Sequence, residues 1–225
     1  MGAASRRRLL TVFGLAAGSL FCVALVIVRN VHTGSPNFRY LVWNLFLAWI
    51  PFVLAVIVYD RWRRRRTGLL LVALGALWLL FFPNAPYIAT DFVHLERNSL
   101  APYWYDAVTI SAFAWIGLLL GFASLYLMQT VVRQWRGALA GWVFAVTAIA
   151  LGSLGIYLGR FLRLNSWDAL EHPSVLPRIA HAVARNPFAY QEAIAVTVLF
   201  TVALVFAYFL LYTLAAAGLE LDAER

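Results

Sequence analysis

A chain of 225 residues that is 63% hydrophobic and only 12% charged lies outside the range of soluble domains and within that of polytopic membrane proteins. Its formal net charge of +8 would suit nucleic acid in a soluble protein, but the arginines sit in short connections between apolar runs, where they set topology, so no nucleic-acid partner is expected. The single cysteine, Cys22, excludes an intrachain disulfide and a thiolate metal cluster.

In chain order, the first apolar run, Leu9 to Val28, follows Arg6, Arg7 and Arg8. It is longer than a secretory signal core and no small-x-small cleavage pattern follows it, so a retained span is expected. The second run, Tyr40 to Tyr59, carries Asn44 one turn inside its start, and Pro51, which frees the carbonyl of Leu47. The third extends from Leu69 to about Tyr87, the fourth from Asp106 to Val132, the fifth from Ala138 to Leu158 and the sixth from Ala193 to Ala217. The predicted fold is therefore all-α: a single integral membrane domain over residues 1–225, with six transmembrane helices, the third interrupted at Pro83 and Pro86.

The long connection between spans five and six, residues 159–192, is expected to lie over the outer mouth of the bundle. Within it Val175, Leu176, Ile179 and Val183 follow the spacing of a short interfacial helix, and Asn186-Pro187 resembles an N-cap followed by proline at the first helical position. Trp43, Tyr103, Trp104, Tyr105 and Trp167 suit an outer aromatic belt. Trp49, Trp78 and Trp115 are too deep for a belt and are expected between helices.

Placing the N-terminus in the cytoplasm puts eleven arginines on that side and seven on the other, which predicts a multi-pass protein of the cell membrane with both termini cytoplasmic, as in a bacterial inner membrane. All four histidines and six of the ten acids then fall outside. Any titratable chemistry should face outward.

The third span holds the densest polar cluster. From Leu69 to Phe82 an α-helix covers only about 21 Å of a hydrocarbon core of about 30 Å, so the path must continue through Pro83-Asn84-Ala85-Pro86-Tyr87 and on toward Asp91 and His94. Pro83 cannot donate to the carbonyl of Leu79, nor Pro86 to that of Phe82, and each disfavours helix at the residue before it. Those carbonyls must find donors in the bundle interior, or else the span ends here and they reach interfacial water. Asn44 and Asn84 enter from the same outer side and could meet, as interhelical glue or as orienting groups.

Asp91 and His94, three residues apart, share a helical face and are the candidate acid-base pair. A metal ion would need further ligands that the pattern does not bring together, so no metal site is predicted and no cofactor is indicated. Asp106 can cap the fourth span, and Arg160 and Arg163 suit the C-terminal end of the fifth. Alternatively the arginines pair with Asp91, Asp106 or Asp168, or bind the phosphate of an anionic lipid headgroup. Asn165 completes the polar string Arg160-x-x-Arg163-x-Asn165-Ser166-Trp167-Asp168.

That string, with Phe82-Pro83-Asn84-Ala85-Pro86-Tyr87-Ile88-x-Thr90-Asp91-x-x-His94-Leu95, Trp43-Asn44-Leu45-x-Leu47-Ala48-Trp49-Ile50-Pro51 and Trp104-Tyr105-Asp106, resembles an uncharacterised bacterial family of integral membrane proteins, domain of unknown function 1361. The resemblance runs from about Val42 to the last helix. It implies a membrane protein and supplies no reaction, substrate or cofactor. The residues point to an outward-facing polar cleft that acts on or binds a lipid or lipid-linked headgroup. The alternatives are a small-solute transporter or channel, for which no charge lies near the midplane, and a non-catalytic assembly or scaffold protein with a protein partner that the residues do not name.

Overall fold

The computed structural model describes residues 3–95, 99–164, 166, 168–171, 174, 185 and 191–223, and every regular element among them is helical. The order is α1 (Ala3–Thr33), α2 (Arg39–Arg63), α3 (Leu69–Phe81), the single turn α4 (Asn84–Tyr87) leading into a 3-10 segment (Ile88–His94), α5 (Tyr103–Arg136), α6 (Ala138–Phe161), the turn α7 (Asp168–Glu171) and α8 (Gln191–Ala223). Six stretches are long and apolar enough to cross a bilayer: Arg8–Thr33, Arg39–Arg63, Leu69–His94, Tyr103–Arg136, Ala138–Phe161 and Gln191–Ala217. Large apolar side chains such as Phe13, Leu69, Val72, Leu139, Leu199 and Phe206 are mostly exposed to the surroundings. Such a surface is stable only against lipid. The interfacial helix expected around Val175 to Val183 and the Asn186-Pro187 cap lie outside the described residues.

The chain divides into two compact units, Met1–Met128 and Gln129–Arg225. In the first, α2 packs against α1, α3, the α4 turn and the 3-10 segment. Its core gathers Cys22, Leu41, Ala48, Ala85, Ile88, Ile110 and Phe113, all fully buried. Two polar contacts tie α1 to α2: Trp49 Nε1 donates to Ser19 Oγ at 3.1 Å, and Arg8 holds both Asp60 oxygens at 2.8 Å. The α2 helix ends in a Schellman motif, with Arg65 in the left-handed region (φ 53°), its N–H on the Trp62 carbonyl and that of Arg66 on the Arg61 carbonyl. In the second unit α6 packs along α8, where Trp142 meets the rings of Tyr208, Phe209 and Tyr212 and the Tyr208 hydroxyl donates to the buried Gln129.

The third span changes its hydrogen bonding at the prolines without unwinding. Phe82 (φ −54°, ψ −39°) keeps helical dihedrals against the usual bias of a residue before proline, and Pro83 (φ −57°, ψ −28°) continues them. The Ala85 N–H donates three residues back to the Phe82 carbonyl at 3.2 Å, which restores the partner that Pro86 cannot provide. Tightening to that 3-10 bond leaves the Phe81 carbonyl without its α-helical donor, and Asn84 Nδ2 fills the place at 2.9 Å. Asn84 thus repairs its own turn, and Thr90 Oγ1 does the same for the Tyr87 carbonyl at 2.7 Å.

The repaired turn is pressed against glycines of α5. A Cβ on Gly117 would stand 2.6 Å from the Ala85 carbonyl oxygen and 2.9 Å from Ile88 Cδ1, and one on Gly121 would stand 3.1 Å from Ala85 Cβ. This small-x-x-x-small spacing lets the α5 backbone approach a turn made of Ala85 and Pro86. Trp78 completes the contact, with its ring 5.0 Å from that of Phe82 and Nε1 on Ser124 Oγ at 3.3 Å. Trp115 does not pack between helices as its depth suggested: it is 63% exposed, because the buried stripe of α5 runs through Ile110, Phe113, Leu120 and Leu125 and position 115 falls on the other face.

Gly117→Ala should therefore destabilise the detergent-solubilised protein by about 1–3 kcal/mol through overpacking against backbone. Gly14→Ala on α1, where nothing lies within 4 Å, should be neutral or slightly stabilising by up to about 1 kcal/mol. Thermal unfolding of the two variants side by side tests the contact.

Candidate functional site

The strongest electrostatic feature of the first unit joins α1 to α5. Arg29, near the end of α1, is 2% exposed and Asp106, in the first turn of α5, is 1% exposed. Arg29 Nε donates to Asp106 Oδ1 at 2.7 Å and Nη2 to Oδ2 at 3.1 Å. Ser99 closes the set: its hydroxyl donates to Asp106 Oδ2 at 2.5 Å and accepts from Arg29 Nη2 at 2.8 Å. Tyr105, the neighbour of Asp106, donates to the Leu25 carbonyl of α1 at 2.9 Å. A buried pair of this kind requires complementary hydrogen bonds, since each ion has lost its water.

One edge of the Arg29 guanidinium is left over. Its Nη1 is buried and has no hydrogen-bond partner among the described residues, while the face of the group lies on the ring of Phe38 at 4.1 Å. Phe38 precedes α2 in the left-handed region (φ 72°, ψ 2°), a conformation that costs a bulky L-residue about 1–2 kcal/mol. Its buried ring meets Tyr40 edge-on at 5.9 Å, and Tyr40 meets the His94 ring at 5.2 Å. Strain of this size persists where surrounding contacts hold it, and here they are the cation and the aromatic pair.

These residues form the wall of a cleft of about 420 Å³, lined by Arg29, Phe38, Arg39, Tyr40, His94 and Ser99 together with the α1–α2 turn. The described lining contains two arginines and a histidine and no acid. Arg39 is exposed and its guanidinium makes no ion pair or hydrogen bond among the described residues, in contrast to Arg29.

The residues singled out from the sequence divide. Asn44 Nδ2 donates to Asp91 Oδ2 at 2.9 Å, so α2 and the 3-10 segment are joined through a carboxylate that is 1% exposed. His94, at the end of that segment, is exposed and lines the cleft. Asn44 and Asn84 take separate partners, Asp91 and the Phe81 carbonyl. Asp106 is engaged by Arg29, where the sequence offered a helix cap or the later arginines. Arg160, Arg163 and Asp168 belong to the second unit: Arg160 sits in the last turn of α6, Arg163 follows that helix in the left-handed region (φ 55°), and Asp168 opens α7. Asn165 lies outside the described residues. Among the described residues no three His, Cys, Asp or Glu side chains gather closely enough to hold a metal ion.

Arg29, Arg39 and Ser99 were not candidates on sequence grounds. The available signal was an arginine within an apolar run at the same outer level as the carboxylate that opens another run, since a charge there needs a partner.

Six apolar helices with a polar-walled cleft in the first unit define a multi-pass helical membrane protein. More narrowly, the chain belongs to the family of proteins of unknown function DUF1361, whose model matches residues 43–212. Arg29, Arg39 and Tyr40 precede the matched stretch, whereas His94, Ser99 and Asp106 lie within it. No curated protein and no solved structure matches the chain.

Asp106→Ala should leave a buried, uncompensated guanidinium and lower stability by about 3–5 kcal/mol. The double variant Arg29→Leu, Asp106→Leu should recover most of that loss, because neither partner then has to be desolvated. The measurement is thermal unfolding in one detergent for the two variants and the unaltered protein.

Proposed function

We propose that this membrane protein binds the anionic headgroup of a lipid or lipid-linked molecule in the cleft of its first unit. The observation that carries the reading is Arg39, an exposed cation without an ion pair among the described residues, at a cleft already walled by a fixed arginine and a histidine. Arg29 adds donors more than net charge, since Asp106 neutralises it. Arg39 therefore supplies the attraction, and a cation close to an anionic lipid surface contributes about 1 kcal/mol, or roughly fivefold in affinity.

A volume of about 420 Å³ suits a phosphate ester of a few carbons and is at the small end of ligand pockets. Where the cleft also transforms its ligand, His94 is the lining group able to exchange a proton. Asp91, buried against Asn44, then anchors the segment that carries His94. By the arginine distribution the cleft opens on the non-cytoplasmic side of the cell membrane.

The test of binding is native mass spectrometry of the detergent-purified protein with phosphatidylglycerol and phosphatidylcholine of equal chain length. The expected outcome is a preference of about fivefold or more for the anionic lipid, lost in Arg39→Glu and partly kept in Arg39→Lys. Equal retention of both lipids by the unaltered protein would refute the reading. The test of side is cysteine labelling: Cys22 is fully buried, so a cysteine placed at the exposed Asn37 should react in intact cells with a membrane-impermeant maleimide. Labelling only after the membrane is opened would reverse the topology.

A further inference from the structure

We infer that the ligand is a membrane lipid held at both ends, with its acyl chain in an apolar groove between α1 and α2 and its anionic headgroup in the adjoining cleft. This rests on the headgroup reading of the cleft and adds the substrate class and the route of entry. The groove has a volume of about 680 Å³ and is bounded on α1 by Val23, Val26, Ile27 and Val31 and on α2 by Val42, Trp43 and Phe46. Arg39 lines both the groove and the cleft, so the two cavities meet at an exposed cation.

Three features favour an acyl chain as the occupant. From Val31 to Val23 the groove follows α1 for about 12 Å at 1.5 Å per residue, close to the roughly 15 Å hydrocarbon depth of one leaflet. Its rim is open to the surroundings, with Ile27 at 56%, Trp43 at 54% and Phe46 at 57% exposure, so a chain enters sideways from the bilayer without leaving hydrocarbon. Its polar end lies where α1 ends and α2 begins, which is where a phosphate ester sits when its chain is in the leaflet. A soluble anion would use the cleft alone and gain nothing from the groove. A transmembrane partner helix has no use for a cation at the upper end of its seat.

The experiment compares phosphatidylglycerol carrying two long chains with its dihexanoyl form, by native mass spectrometry of the full chain in one detergent. Val42→Trp and Ile27→Trp each fill the groove from one wall, and Arg39→Ala removes the junction cation; melting temperatures establish which variants are folded. In the unaltered protein the long-chain lipid should bind at least fivefold more tightly than the short one. Either groove variant should erase most of that advantage while leaving the dihexanoyl lipid within twofold, and Arg39→Ala should weaken both lipids. Groove variants without effect, beside an active Arg39→Ala, would overturn the two-ended seat and leave the headgroup cleft standing. Loss of phosphatidylcholine and phosphatidylglycerol alike in the groove variants, with Arg39→Ala silent, would mean an ordinary annular lipid and would overturn both readings.

Discussion

Hydrocarbon offers no hydrogen bonds, so a polar group that cannot reach the bilayer surface needs a protein partner, and at the third span and on one edge of Arg29 this chain supplies it. The third span shows the rule at its most demanding. Two prolines delete two backbone donors within four residues, yet the helical path continues: at Pro86 a single 3-10 bond supplies the Phe82 carbonyl and the Asn84 side chain supplies the carbonyl that this bond vacates. The turn can be so compact only because α5 presents glycines 117 and 121 to it. Sequence, local geometry and helix packing are thus one device: remove the glycines and the repaired turn has nowhere to sit.

The same rule applied to charge produces the site. Arg29 lies too far inside α1 for its whole guanidinium to be left in water, and Asp106 with Ser99 completes its coordination on one edge. That pair fastens α1 to α5, the Phe38 ring covers the guanidinium face, and the left-handed backbone at Phe38 sets where α2 begins. Arg39, one residue later, is thereby carried out to the mouth of the cleft. A buried pair chosen for stability alone is replaceable by apolar residues of similar volume. What distinguishes this one is that its fixed geometry also shapes the wall of a cavity and places a second, exposed arginine beside it.

Much of this was legible beforehand, and the boundary is instructive. Apolar runs long enough to cross a bilayer marked six helices, and Pro83 and Pro86 marked the interruption of the third, because both signals are local in sequence. The repair by Asn84 was half visible: an amide beside two prolines is a donor beside freed carbonyls, but which carbonyl it would serve depended on whether the backbone tightened or unwound. Trp49 and Trp78 were rightly placed between helices from their depth. Trp115 was not, since depth along a helix says nothing of which side faces the core.

The sequence by itself determined that this chain lies in a membrane, how many times it is built to cross, and where its crossing is interrupted. Those properties follow from hydrophobic length and from the bond-forming capacity of single residues. Tertiary structure alone decided that Asp106 belongs to Arg29, that Asp91 belongs to Asn44, and that His94 shares a cleft with Arg39. Partners separated by 47 to 77 residues are chosen by how the helices rotate and pack, and helical rotation is set by contacts along the entire length of each helix, which no local pattern records.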